Sequence, residues 1–149
     1  MRNSIRAAAL FSIGLLLVGL FFWYQGPSAK FPHLSQVELG GRVVDVTIAD
    51  TPETRARGLS GRMALAPDEG MLFMFPEEGR YGFWMKDMLF SIDILWLSDE
   101  GRIVSMVQNL SPETYPKTFE PEQAARSVLE LRAGWVKEHG VQLGDVVRF

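Results

Sequence analysis

Hydrophobic positions along this chain have two textures. From Ala7 to Tyr24 (A-A-A-L-F-S-I-G-L-L-L-V-G-L-F-F-W-Y) no charge interrupts 18 residues. As a helix that run is about 27 Å long, close to the ~30 Å hydrocarbon core of a bilayer. Beyond it the apolar residues come in short runs. In Arg42–Ile48, Val44, Val46 and Ile48 alternate with Val43, Asp45 and Thr47, the period of a strand with one wetter face. Thr51-Pro52-Glu53 marks a helix start, with a capping hydroxyl, a proline suited to the first turn and an acid at the positive end of the dipole. Gly58 is placed to end that helix. Further strands are predicted at Met71–Phe75, Phe83–Lys86, Ile92–Leu97, Ile103–Gln108 and Ser127–Leu131, separated by Pro76, Gly79, Gly82, Asp99-Glu100-Gly101 and Ser111-Pro112. A short helix over Trp135–His139, stopped at Gly140, and a last strand over Val146–Phe149 complete the pattern. It predicts a β-rich α+β domain, a compact small sheet or distorted barrel with two short helices, preceded by an N-terminal transmembrane helix.

The flanks of the long apolar run set its orientation. Arg2 and Arg6 precede it and no acid appears before Glu38. Residues 1–6 are therefore expected in the cytoplasm, 7–24 as a signal-anchor, and the remainder on the far side. Phe21-Phe22-Trp23-Tyr24 closes the run as an interfacial aromatic belt does. Residues 25–36 (Q-G-P-S-A-K-F-P-H-L-S-Q) read as a linker, and 37–149 as the exported domain. The alternative is a cleaved signal peptide, using the small residues Gly26-Pro27-Ser28-Ala29 and releasing a free domain. The length of the apolar region and Pro27 within the cleavage site count against it.

Composition narrows the chemistry. The chain has no cysteine, so the domain must be held by core burial alone, and thiol nucleophiles, thiolate metal sites and lipoprotein attachment are excluded. Without Arg2 and Arg6, 13 basic residues face 18 acidic ones, a net charge of −5 on the exported part. That balance argues against nucleic acid or anionic lipid as the main partner.

Three segments carry a resemblance: G-L-S-G-R-M-A-L-A-P-D-E-G-M-L-F-M-F (58–75), F-W-M-K-D-M-L-F-S-I-D-I-L-W-L (83–97) and V-L-E-L-R-A-G-W-V-K-E-H-G-V-Q-L-G-D (128–145). In order and spacing the chain resembles the domain of unknown function 192 family, small proteins often exported by bacteria. The resemblance covers about Val43–Val147. It implies a small β-rich fold and a bacterial source; taken with the Ala7–Tyr24 run behind Arg2 and Arg6, the expectation is a folded domain in the periplasm, tethered by a single pass through the inner membrane. It implies no established activity. Trp84, Met85, Lys86, Asp93, Glu130 and Gly134 match the family's pattern. This chain departs from it at Ser60, where the family often has Met, at Asp87-Met88 in place of Asn-Thr, and at Ser91 in place of proline. Any ligand contacts that the Asn and Thr supply in the family would have to come from other groups here.

Two carboxylates stand out. Asp93 lies inside S-I-D-I-L-W-L, on a strand whose two faces are both apolar, so the strand should be central and covered on both sides. An unpaired buried carboxylate costs several kcal/mol or is forced neutral, so Asp93 needs a partner. Arg62, Lys86, Arg126, Arg132 and the N–H groups of a neighbouring turn are the choices. A structural pin is the expected role, and a pocket carboxylate the competing one. Glu130 shares a strand face with Val128 and Arg132; at a sheet edge it would be an ordinary solvated pair. Trp84 and Lys86 share the face opposite Phe83 and Met85, and an indole beside an ammonium next to Gly82 suits a pocket floor.

Only His33 and His139 are present, no G-x-S-x-G elbow occurs and no glycine-rich phosphate loop is spaced correctly, so nucleophilic and nucleotide chemistries have no support. Neither a cofactor nor a metal site is expected. The reading is a membrane-tethered envelope module binding a small molecule, glycan, peptide or envelope protein, with Trp84, Lys86, Arg62, Asp93 and Glu130 as candidate binding residues. Alternatives are a hydrolase or lyase using Asp93 or Glu130 as acid or base, and a structural assembly factor without a pocket.

Overall fold

The computed structural model describes residues 36–149. The expected span 7–24 and nearly all of the linker lie outside them. Six strands form one mixed sheet: β1 (Gln36–Leu39), β2 (Arg42–Ala49), β3 (Glu69–Gly79), β4 (Ile92–Leu97), β5 (Ile103–Leu110) and β6 (Ala125–Arg132), in the order β1-β2-β3-β6-β4-β5. The sheet is open, with β1 and β5 at its edges, and not the distorted barrel admitted by the sequence. Closure would need those edges to pair, and no such ladder forms.

Only β2 and β3 run parallel, so the chain between them must cross over one face. That crossover begins with helix α1 (Pro52–Arg57), capped as the sequence suggests: the Thr51 hydroxyl accepts from the Thr54 N–H at 3.2 Å, and the Thr54 hydroxyl takes the Thr51 N–H at 3.0 Å. The capping box uses Thr at its third position rather than Glu or Gln. Helix α2 (Trp135–Glu138) follows β6.

Both faces of the sheet are covered. On the first, Phe73, Ile94, Trp96 and Val128 pack with Leu59 and Leu65 of the crossover and with Phe83, Met85 and Met88. On the second, Leu72, Leu95, Leu97, Leu129 and Leu131 pack with Trp135 and Val136 of α2. Full burial of each such side chain stabilises by about 1.5–3 kcal/mol before conformational entropy is subtracted. All six residues of β4 are buried, as a central strand covered on both sides requires.

Two elements differ from the sequence expectation. Phe83–Lys86 keeps the alternation of buried Phe83 and Met85 with exposed Trp84 and Lys86, but pairs only through a bridge between Phe83 and Phe119. Val146–Phe149 likewise makes single bridges, Val146 with Arg102 and Arg148 with Glu38. Alternation in sequence reports which way side chains face, and it does not require a neighbouring strand. The edge strand β1 was not expected; it begins at Gln36, the last residue assigned to the proline-containing linker.

Candidate functional site

A cleft of about 270 Å³ opens on the first face. Its floor is β6 and β3, one wall is the end of α1 with Gly58-Leu59-Ser60, and the opposite wall is Tyr81–Trp84 with Met88. The walls are stapled together by one side-chain and one backbone hydrogen bond: the Ser60 hydroxyl donates to the Lys86 carbonyl at 2.9 Å, and the Gly61 N–H to the Asp87 carbonyl at 2.9 Å. Phe83 exchanges both backbone hydrogen bonds with Phe119 at 2.8 Å, and the Trp96 indole N–H holds the Tyr81 carbonyl at 2.8 Å. Gly58 ends α1 at φ 52°, and a Cβ there would stand 3.4 Å from Phe73 Cζ. Glycine therefore serves both the backbone turn and the width of the cleft.

The interior is aromatic. Phe73 and Phe83 meet edge to face, with centroids 4.9 Å apart and an interplanar angle of 88°. Phe75 stacks on Tyr81 at 3.5 Å, and the Arg55 guanidinium lies 5.2 Å from the centre of the Phe75 ring. Arg55 is committed to the fold, donating through Nη1 to the Asp50 and Met74 carbonyls at 2.6 and 2.8 Å. Arg57 also lines the cleft; it is exposed and forms no ion pair among the described residues.

Glu130 lies at the base. It is 5% exposed, on a central strand, directly across from Met71 of β3 and Ile94 of β4. Its Oε2 is buried without a hydrogen-bond partner among the described residues. Burial in this apolar setting pushes its carboxyl up to about 8, so near neutral pH the group is mostly protonated, a hydrogen-bond donor and acceptor together. The edge position and the Arg132 partnership considered from the sequence are both replaced. Arg132 forms a two-pronged ion pair with Glu138 and donates Nε to the Pro67 carbonyl at 3.2 Å. The signal for Glu130 was present in V-L-E-L, a lone acid among aliphatic residues, the same signal that singled out Asp93.

The other candidates scatter. Asp93 is fully buried and faces the second side of the sheet, away from the cleft. Its Oδ1 accepts from the N–H of Asn109 at 2.8 Å and of Gly134 at 3.2 Å, and its Oδ2 from the N–H of Val136 at 3.0 Å. Two of these donors are at the start of α2, where amides have no partner within the helix. The third belongs to a bulge, where Gln108 and Asn109 oppose the single residue Asp93 and Asn109 has φ 53°. Arg62 is ion-paired with Glu69 at 3.0 Å and reaches the Thr47 hydroxyl at 3.3 Å, in a neighbouring depression that shares Arg57, Gly58 and Ser60 with the cleft. Trp84 lines the cleft mouth, 53% exposed, its ring edge-on to Tyr115 at 6.0 Å. Lys86 is exposed and outside the lining. Trp84 and Glu130 thus share one cleft, and Arg62, Lys86 and Asp93 do not line it. Sequence reasoning missed Arg57, which carries no periodic or motif signal, and noted Ser60 only as a departure from the family's pattern.

Known proteins share this architecture. A protein of Sinorhizobium meliloti 1021, described as a candidate transcription regulator, superposes with TM-score 0.71 and 31% identity, over 80% of this chain and 97% of its own. A Novosphingobium aromaticivorans DSM 12444 protein of unknown function gives TM-score 0.72 and 25% identity, over 76% and 84% of the two chains. A UPF0127 protein of Thermococcus gammatolerans is 29% identical over 104 residues, 68% of this chain, and the match spans 64% of that relative's length. The profile of DUF192, described as an uncharacterized ACR, matches residues 35–149, the whole described domain, and the chain belongs to that family.

Proposed function

We propose that this chain is an envelope-side binding module that holds a small molecule in the cleft above Glu130. One observation carries the proposal: a carboxyl oxygen without a partner among the described residues, buried at the base of an aromatic-walled cleft. Such an atom costs about 1–3 kcal/mol unless something bonds to it, and a fold that needed only a core residue there would be more stable with Leu or Met. A bound ligand that offers a hydrogen bond removes the cost. Trp84 at the mouth supplies a flat apolar surface with a polar edge. Attachment to the inner membrane rests on the uncharged Ala7–Tyr24 run behind Arg2 and Arg6. The net charge of −5 on residues 25–149 disfavours nucleic acid as the partner.

A hydrolase or lyase would use the same carboxyl as a general acid, since a group titrating near 8 is protonated at working pH. Among the described residues the lining offers it no second acid and no histidine, so binding is the favoured reading. The test is native mass spectrometry of the full chain extracted in detergent from its own membranes. The expected result is a co-purifying small molecule that is absent from Glu130→Leu and depleted in Trp84→Phe. Wild-type chain of empty mass, indistinguishable from both variants, would remove the proposal.

A further inference from the structure

The charges around the cleft say more about what enters it, on the reading that it is a binding site. Its charged lining residues are Arg55, Arg57 and Glu130. Arg55 is occupied by two backbone carbonyls and the Phe75 ring. Arg57 is solvent-facing at the mouth with no acid paired to it among the described residues. The cleft therefore presents an uncharged hydrogen-bonding group at its base, aromatic rings along its sides and one available guanidinium at its rim. A single planar guanidinium fork matches a carboxylate, through two parallel N–H···O bonds, better than a phosphate dianion that asks for more donors. A cationic ligand would meet two arginines on the way in and a neutral group at the bottom.

We propose that the cleft takes a small, flat carboxylate-bearing molecule, its uncharged polar end against Glu130, its apolar body along Phe73 and Phe83, and its carboxylate toward Arg57. The end at Glu130 is best filled by a carboxamide or similar group, which presents a donor and an acceptor side by side to a protonated carboxyl offering the same pair. The charged and titratable groups facing Glu130 across the cleft are Arg55 and Arg57 from α1 and Tyr81 from the opposite wall; β3 and β4 present Met71, Phe73, Ile94 and Trp96. Ionisation of Glu130 would remove the donor and place a negative charge beneath an anionic ligand, so affinity falls as the pH rises through about 8.

Calorimetry on the full chain in lipid nanodiscs with three matched probes tests this: para-carbamoylbenzoate, neutral para-toluamide and cationic para-(aminomethyl)benzamide. The benzoate should bind about two- to fivefold more tightly than the toluamide and tighter still than the cation, as expected for one exposed charge pair. Arg57→Ala should abolish that order while leaving toluamide binding in place. Glu130→Gln should retain benzoate binding and lose its fall at alkaline pH, and Glu130→Leu should abolish binding of all three. A cation that binds as well as the benzoate, an order unchanged in Arg57→Ala, or no binding by any probe would overturn the carboxylate assignment. If a native small molecule is still retained in mass spectrometry, the binding cleft survives that failure. An empty wild-type chain together with silent probes removes both.

Discussion

Asp93 and Glu130 are neighbours in the sheet that belong to different environments. They lie on adjacent strands one residue out of step, since Asp93 pairs with Leu131 and Ile94 with Glu130, and they point to opposite faces. Both are buried. Asp93 receives three backbone N–H groups and ties a bulge to the start of α2, whereas Glu130 has an oxygen with no partner among the described residues and a carboxyl raised to about 8. Burial alone therefore does not distinguish a structural acid from a site acid. The supply of donors does, because amide N–H groups aimed at a carboxyl oxygen replace the water lost on folding.

The comparison can be broken most directly at Asp93. Asp93→Ala leaves three backbone amides without their acceptor, that of Val136 buried and those of Asn109 and Gly134 only partly so, at about 1–3 kcal/mol for a fully buried donor and less for the others, so chemical denaturation should show a loss of about 3 kcal/mol or more. Loss within 1 kcal/mol of zero would mean that the anchor is replaceable by water. At Glu130 the effect should run with pH. A glutamic acid whose folded pKa is raised keeps a proton that the unfolded chain gives up. Its contribution to stability therefore falls as pH rises from about 4.5 to about 8, and is flat beyond those limits. Between pH 5 and 8 wild-type chain should lose about 3 kcal/mol that Glu130→Gln does not lose, read as the difference between their denaturation midpoints across pH. Parallel profiles would place Glu130 in water.

Smaller effects separate the two faces. Gly134 stands at φ 85° beside Asp93, and Gly134→Ala should cost about 1–2 kcal/mol from left-handed backbone strain while leaving ligand binding at the cleft unchanged. Lys86→Ala, exposed and outside the cleft, should move neither stability nor binding by more than about 0.5 kcal/mol. A larger binding loss would restore the Trp84–Lys86 pairing suggested by strand parity.

The sequence made some of this visible and hid the rest for identifiable reasons. Val44, Val46 and Ile48 revealed β2 because one face of that strand is wetter, and Thr51-Pro52 revealed α1 because capping is local chemistry. Strand parity alone puts Asp93 with Leu95 and Leu97, opposite Ile94 and Trp96, and the two sides of the sheet divide in that way. Which strands are neighbours is a long-range matter, so the order β3-β6-β4 and the open edges had no local signature. Glu130 was misjudged for that reason: its apparent partner Arg132 shares its face, but β6 is central and Arg132 turns to Glu138. Phe83–Lys86 alternates because it is packed on one side, although no strand runs beside it.

The protonation state of Glu130 is the most direct test of the proposed site. Carbon-detected NMR titration of the glutamate side-chain carboxyl carbons in the full chain, with Glu130→Gln to assign the signal, reads it without any ligand. The expected result is one glutamate titrating near 8 and missing from the variant; a Glu130 signal titrating near the ordinary 4.5 would contradict a buried, unpartnered carboxyl at the base of the cleft.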